Sequence, residues 1–192
     1  MSFLTAKELA ALGLASCGED VKISRKTSLY GAERIAIGDH VRIDDFCVIS
    51  AGAGGISIGS HVHIAVYVSV IGAAAITLSD FVGLSSRVSV YSSNDDYSGS
   101  ALTGPTIPDR FRKIDSRPVH IGRHVVVGSG SVVLPGVTIH DGAAVGALTL
   151  IRKDCEPFGL YVGNPARRIR ERSRDLLELE RQLAESPGDG PG

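Results

Sequence analysis

Aliphatic residues recur at every sixth position between residues 121 and 156 of the chain. The six-residue steps begin at Ile121, Val127, Val133, Ile139, Val145 and Ile151. A small or thin side chain follows four places later, at Val125, Ser131, Val137, Ala143, Thr149 and Cys155. A strand repeats every two residues and a helix every 3.6, so neither sustains this period. Short strands joined by tight turns do sustain it, and the pattern predicts a hexapeptide-repeat solenoid.

Three such steps make one coil, and this fixes which residues stack on each other. Ile139 lies 18 positions after Ile121, and Val145 lies 18 after Val127. Each pair is therefore expected on the same wall in neighbouring coils. A single coil cannot bury its own inner face, whereas a stack of coils can. We predict an all-β solenoid, a parallel β-helix with an aliphatic core.

The same rhythm runs through the N-terminal half with interruptions. It begins weakly near Val21 and is clear from Ile37 onward. Ile58 follows Ile37 by 21 positions, and Leu78 follows Ile58 by 20, rather than by 18. The extra residues, at 51–55 and near Ala73, are expected to bulge from one corner of the solenoid.

Residues 92–118, called the arm below, interrupt the rhythm completely. They are rich in Ser, Asn, Asp, Gly and Pro and show no period. Irregular segments longer than about 12–15 residues are uncommon in compact domains and are usually functional or disordered. A regular solenoid has no structural use for such a segment, so we expect the arm to carry function.

The two ends of the chain carry helix signals. Thr5 and Glu8 form a capping box, which predicts a short helix over about 6–12 that closes the end of the solenoid. After the solenoid domain (1–165), Asn164 as a cap and Pro165 in the first turn predict a C-terminal helix over 166–185. The tail, 186–192, is rich in Gly and Pro and is expected to be mobile.

Composition excludes several classes of protein. Hydrophobic residues make up 43% of the chain but aromatic residues only 5%, as a narrow aliphatic core requires. The net charge of −1 argues against a nucleic-acid partner. No apolar run is long enough to span a membrane, and no signal peptide is evident. Cys17, Cys47 and Cys155 are an odd count without metal-site spacing, so we expect reduced, buried thiols in a cytoplasmic protein.

The hexads, the arm and the ending Gly163-Asn164-Pro165-Ala166-Arg167 together resemble a known family. Over about residues 18–170 the chain resembles the left-handed β-helix acyltransferases, especially the nucleotide-aminosugar N-acyltransferases and the galactoside, maltose and xenobiotic O-acetyltransferases. The resemblance implies a left-handed coil, although crossovers are ordinarily right-handed. It also implies coenzyme A or acetyl-CoA as acyl donor and a homotrimer with active sites between neighbouring columns.

One departure from that resemblance bears on the chemistry. The O-acetyltransferases carry a catalytic histidine at the start of the arm, where this chain has Asp95 and Asp96. A sugar hydroxyl needs a base with a pKa near neutrality, and an unperturbed aspartate has a pKa of about 3.9. A neutral amine attacks a thioester without that help. The exchange therefore favours an amino sugar as acceptor. The resemblance implies that this sugar is linked to a nucleotide and serves the synthesis of cell-surface polysaccharide.

The resemblance and the arm together give a set of candidate site residues. We predict catalytic roles for Asp95, Asp96 and Ser85, acceptor contacts for Ser86, Asn94 and Tyr97, and His61 as an alternative base. The resemblance assigns coenzyme binding to Gly128, Ser129, Gly146, Ala147, Arg152, Lys153, Pro165, Arg167 and Arg168. Each also has a structural alternative: turn capping for the aspartates, corner packing for the small residues and a solvated face for the cations. We expect no metal site, because the pair His61 and His63 lacks partner carboxylates at a useful spacing.

Two other functions stay open at this point. The first is O-acetylation of a galactoside, a polysaccharide sugar or a chloramphenicol-type xenobiotic. The second is a hexapeptide-repeat protein that binds without catalysing. The sequence specifies neither the acyl group nor the sugar nor the nucleotide.

Overall fold

Three sheets, parallel except for the last strand of the second, form the walls of a triangular column in the computed structural model, which describes residues 2–185. The first wall holds β1 (Ser16–Cys17), β4 (Ile35–Ile37), β7 (Ile56–Ile58), β10 (Ile76–Leu78), β15 (Val119–Ile121) and β18 (Thr138–Ile139). The second holds β2 (Lys22–Ile23), β5 (Arg42–Ile43), β8 (His63–Ile64), β11 (Gly83–Leu84), β16 (Val126–Val127), β19 (Ala144–Val145), β21 (Gly159–Val162) and β22 (Arg167–Glu171). The third holds β3 (Ser28–Tyr30), β6 (Val48–Ala51), β9 (Ser69–Gly72), β12 (Ser89–Tyr91), β17 (Val132–Val133) and β20 (Leu150–Ile151). The predicted β-helix is confirmed.

The coil arithmetic is confirmed at the level of individual pairs. Ile121 pairs with Ile139 on the first wall, and Val127 pairs with Val145 on the second. The aliphatic residues that open the six-residue steps point inward and stack into one continuous core, in which Ile121 and Ile139 are fully buried. Burial of this repeated aliphatic surface is what holds the short strands together.

Two corners of the column are built from residues with left-handed backbone. Between the first and second walls His40, His61, Phe81 and His124 all have positive φ. Their rings stack with centroids 4.7–4.8 Å apart. Non-glycine residues rarely adopt this conformation, and here the repeated turn imposes it in coil after coil. Between the second and third walls Phe46 and Tyr67 repeat the arrangement, with centroids 5.0 Å apart.

All the extra chain length leaves the column at the third corner, between the third and first walls. The segments 31–34, 52–55, 73–75 and 92–118 each follow a strand of the third wall and precede one of the first. The predicted bulge from a single corner is therefore confirmed. The first of these segments contains a short 3₁₀ helix, Ala32–Arg34.

The arm is more ordered than its sequence indicates. It begins and ends in an antiparallel pair, β13 (Ser93–Asp95) with β14 (Ile114–Ser116). A 3₁₀ turn at Asp109–Phe111 and a bridge from Leu102 to Arg112 organise the part between them. At the base of the arm the buried Ser92 hydroxyl donates to the carbonyl oxygen of Ala74 at 2.7 Å.

The N-terminal helix is confirmed, whereas the start of the C-terminal helix is wrong. Helix α1 spans Ala6–Ala10 behind the capping box of Thr5 and Glu8. Residues 167–171 form strand β22, which pairs antiparallel with β21. Asn164 and Pro165 lie in the turn between these strands instead of starting a helix.

Helix α2 is consequently shorter than predicted and spans only Asp175–Glu185. Strand β22 covers the backbone groups that the edge strand β21 would otherwise leave unpaired. The predicted tail lies outside the described residues.

The cysteines fit the prediction only in part. Cys47 and Cys155 are buried and free, and burial raises the pKa of their thiols to about 11 and about 12, respectively. Cys17 is exposed, contrary to expectation, because β1 lies at the open N-terminal end of the first wall.

Candidate active site

A cleft of about 400 Å³ runs along the edge between the second and third walls. Its lining includes His63, Gly83, Ser85, Ser86, Val126 and Ser129. The cleft therefore brings the candidate catalytic residue Ser85 and the candidate acceptor contact Ser86 together with the candidate coenzyme residue Ser129. These residues come from three successive coils.

Gly83 opens this cleft. On the outer face of the second wall it pairs with His63 on one side and Val126 on the other. A Cβ added at Gly83 would meet only the Val126 Cγ2, at 3.8 Å. Neither its φ nor crowding requires a glycine here. The missing side chain leaves a gap between the two neighbours, and that gap is the cleft.

A buried carboxylate holds His63 at the wall of the cleft. Asp44 is 5% exposed, and its two oxygens lie 2.8 Å from Arg42 Nε and 2.9 Å from His63 Nε2. Desolvation raises the pKa of Asp44, but the hydrogen bonds from Arg42 and His63 outweigh it, so the pKa lies below its ordinary value. An ionised Asp44 only accepts hydrogen bonds, so His63 Nε2 donates this one, and in a neutral ring Nδ1 then keeps a lone pair.

Sequence reasoning missed the hydrogen bond between Asp44 and His63. Asp44 and His63 are 19 positions apart, and their pattern matches no catalytic motif. The register of the coils could have indicated that the two residues are close, because Ile43 pairs with Ile64 and this pairing places Arg42 beside His63.

The small candidates Gly128, Ser129, Gly146 and Ala147 stack one coil apart, as predicted. A Cβ on Gly128 would lie 2.5 Å from the Ala147 nitrogen, so close packing of the coils by itself requires this glycine. Within residues 2–185, the amide N–H groups of Ser129 and Ala147 donate to no protein acceptor. They remain available to a carbonyl or thioester oxygen.

Four of the candidate coenzyme-binding residues surround one depression near the C-terminal end of the column. Arg152, Lys153, Pro165 and Arg167 line this space of about 200 Å³. Arg168 does not line it; its side chain turns to Glu171 Oε2, at 2.7 Å. Three cations around one opening form a suitable seat for a polyphosphate.

The candidates on the arm lie away from the cleft of their own chain. Ser85 precedes β12 and Asp95 follows it, so the two lie at opposite edges of the third wall. Asp95 is exposed, and Tyr97 is 91% exposed, while Asn94 is half-buried. One chain alone does not bring these residues to Ser85.

Asp96 is engaged inside the arm. Its carboxylate accepts hydrogen bonds from the hydroxyl of Ser98 and from the hydroxyl and amide of Ser100. The Ser98 hydroxyl, then the Ser98 amide and Ser100, lower its pKa to about 2. These bonds give Asp96 a turn-forming role, while Asp95 takes no part in them.

His61 does not line the cleft. Its ring lies in the corner stack between His40 and Phe81, at the far edge of the second wall from Ser85. In one copy of the chain His61 therefore lies outside the cleft that holds Ser85, and its role as an alternative base stays a prediction.

Two further features bear on partners. In the described part of the chain no three His, Cys, Asp or Glu side chains are placed to hold a metal ion. No helix within residues 2–185 is both long and apolar enough to cross a membrane.

Comparisons with known proteins agree with this geometry. Residues 118–153 match the family model for the bacterial transferase hexapeptide (six repeats). The chain is 53% identical over 180 residues to the dTDP-4-amino-4,6-dideoxy-D-glucose acyltransferase of Escherichia coli, covering 94% of each protein. It is 32% identical over 147 residues to a chloramphenicol acetyltransferase of Klebsiella aerogenes, covering 74% of this chain and 59% of the relative.

Solved structures of similar proteins are also acyltransferases. An N-acyltransferase from Bacillus cereus, in complex with dTDP-4-amino-4,6-dideoxyglucose and coenzyme A, superposes with a TM-score of 0.93 at 40% identity, over 96% of this chain and 98% of its own. The same enzyme has been solved with dTDP and 3-hydroxybutyryl-CoA. Several of its structures are point variants at one serine and one aspartate, ten positions apart. A maltose O-acetyltransferase from Clostridium difficile, at 20% identity and a TM-score of 0.58, shares the fold alone.

Proposed function

The chain belongs to the hexapeptide-repeat acyltransferases that act on nucleotide-linked amino sugars, and from this premise we propose that its acceptor is dTDP-4-amino-4,6-dideoxyglucose. It is an acyl-CoA-dependent enzyme that transfers an acyl group to the amino group of a sugar. The similar enzymes from Escherichia coli and Bacillus cereus are named for, or were solved with, this acceptor. The cytoplasm, where nucleotide sugars and coenzyme A are made, is the proposed location.

The observation that carries this proposal is the cleft shared by Ser85 and Ser129. There, a residue predicted to be catalytic lies on the coil next to one predicted to hold the coenzyme. The amine attacks the thioester carbon directly, without a covalent enzyme intermediate. The amides of Ser129 and Ala147 donate to the thioester oxygen as negative charge develops on it.

We further propose a homotrimer in which the arm of one copy completes the cleft of the next. Ser85 and Asp95 are ten positions apart in this chain, the same spacing as the serine and aspartate varied in the Bacillus cereus enzyme. Because they lie at opposite edges of the third wall, one site receives both only if two copies contribute. Asp95 then orients the amine of the acceptor.

Substrate class is tested by following release of the coenzyme A thiol with a disulfide reagent. Acetyl-CoA and 3-hydroxybutyryl-CoA are offered with the dTDP-linked amino sugar, and with the matching sugar that carries a hydroxyl in place of the amine. We expect turnover only with the amine. Equal turnover of the hydroxyl sugar, or of chloramphenicol, would contradict the proposal.

The shared site is tested by complementation. Ser85→Ala and Asp95→Ala homotrimers should each be nearly inactive. Unfolding and refolding the two variants together should restore part of the activity, because some clefts then receive an intact residue from each copy. If mixing restores nothing while each variant still sediments as a trimer, both residues act within one chain and this arrangement is wrong.

A further inference from the structure

We propose that His63, held by the positioning residue Asp44, is the proton acceptor for acyl transfer in the cleft that Gly83 opens. This inference rests on the proposed function. It assigns a catalytic role to a histidine that neither the motif pattern nor the family resemblance singles out.

The geometry of the pair supports a base. Asp44 is buried and bonded on both oxygens, to Arg42 and to His63 Nε2. It fixes both the tautomer and the plane of the imidazole, so the Nδ1 lone pair is kept for a proton from elsewhere. The side chain of His63 is 53% exposed, and the ring lines the same cleft as Ser85 and Ser129.

The surroundings of the ring explain why the proton is accepted there. Gly83, at the paired position on the next strand, offers no side chain and no charge. On the preceding strand the residue paired with His63 is Arg42, which forms an ion pair with Asp44. Among the described residues that pair with His63, bond to it or line its cleft, the charged groups are this Arg42–Asp44 pair. The open face of the imidazole looks onto the gap where the acceptor enters.

The reaction balances with His63 in this role. The amine nitrogen attacks the thioester carbonyl carbon, and a carbon–nitrogen bond forms. The nitrogen loses a proton to His63 Nδ1 as the tetrahedral intermediate collapses and the carbon–sulfur bond breaks. The imidazolium then protonates the departing thiolate, which leaves as coenzyme A and returns His63 to its neutral form. General base catalysis of this kind contributes about 10²–10⁴-fold.

The test compares variants at single positions in the full-length protein, with acetyl-CoA and the dTDP-linked amino sugar as probes. His63→Gln keeps a hydrogen-bond donor near Asp44 but cannot take up a proton. We expect kcat to fall about 10²–10⁴-fold, while coenzyme A affinity and the melting temperature stay unchanged. The pH profiles are compared on kcat, which reports the loaded enzyme, because protonation of the free amine lowers kcat/KM in acid whatever residue is the base. In the wild type kcat should fall in acid, and in the variant this limb should disappear.

Three matched variants separate this role from a structural one. Asp44→Asn should displace the acidic limb and lower kcat, because an amide can hold either tautomer. Gly83→Val should keep the column folded, since a Cβ at this position meets only the Val126 Cγ2, at 3.8 Å, but should abolish acceptor binding by filling the cleft. His120→Asn, on the exposed outer face of the first wall, should match the wild type.

The outcomes are distinct. If the wild type acylates no amino sugar, the proposed function fails and this inference falls with it. If the wild type is active but His63→Gln keeps both its rate and its acidic limb, the inference alone is wrong. It is equally wrong if His61→Asn, rather than His63→Gln, removes that limb.

Discussion

Replacing Arg167 with alanine is expected to weaken coenzyme A binding by roughly tenfold. Arg167 lines the depression near the C-terminal end of the column beside Arg152 and Lys153, where the coenzyme phosphates are proposed to bind. A hydrogen bond to a charged group contributes about 1.5–3 kcal/mol, which corresponds to about 10- to 150-fold in affinity. The depression opens to solvent, and screening there places the loss near the lower bound.

Calorimetric titration with coenzyme A measures this loss directly. Arg170→Ala is the matched control, because it removes the same charge from the same strand, β22, but does not line the depression. The control should change affinity less than threefold, and the deficit of Arg167→Ala should shrink as salt is added. Equal weakening by the two variants would show that the general field of the column, rather than a local phosphate contact, attracts the coenzyme.

Three other predictions concern the column that presents the site. Ile121→Ala should lower the free energy of unfolding by about 2–5 kcal/mol, measured by urea titration, because Ile121 is fully buried. Gly142→Ala should destabilise the column measurably in the same assay, since Gly142 has a φ of +71° and an added Cβ would overlap the ring of Phe158. Arg25 holds the pKa of Glu8 at about 2, below its ordinary 4.5. The stabilisation from Glu8 is therefore present above pH 4.5 and lost as the pH falls towards 2, so the melting temperature of Glu8→Gln should depend less on pH across that window.

Much of the fold follows from the sequence because the period of six is a packing rule. A wall that stacks Ile121 on Ile139 admits no other register without exposing the core. The corner that releases the arm was predictable for the same reason, since added residues can leave only where the period slips.

The C-terminal segment was not predictable from local signals. Residues 167–171 contain Arg, Ile and Glu, which are compatible with a helix. These residues form a strand instead, because they pair with the exposed edge of β21. That edge exists only once the column has formed. Local propensity is a weak preference, and tertiary pairing overrides it here.

The candidate site was predictable in part. The positions of Ser85 and Ser129 at one cleft follow from coil arithmetic. The place of Arg167 beside Arg152 does not, because Arg167 lies in β22, where the sequence predicted a helix. Asp44 and His63 could not be paired from the sequence, because a hydrogen bond across two coils leaves no contiguous motif. Asp96 looked equivalent to Asp95 in the sequence, and only its bonds to neighbouring serine residues distinguish it.

The corner from which the arm leaves lets the arm vary in length and sequence independently of the column. Leu78 still pairs with Ile121 although 43 positions separate them in the chain, so the segment between can lengthen, shorten or be exchanged without altering the register above or below. The acceptor contacts proposed for the arm can therefore change by substitution, insertion or deletion, while the column and the depression lined by Arg152 and Arg167 keep their geometry.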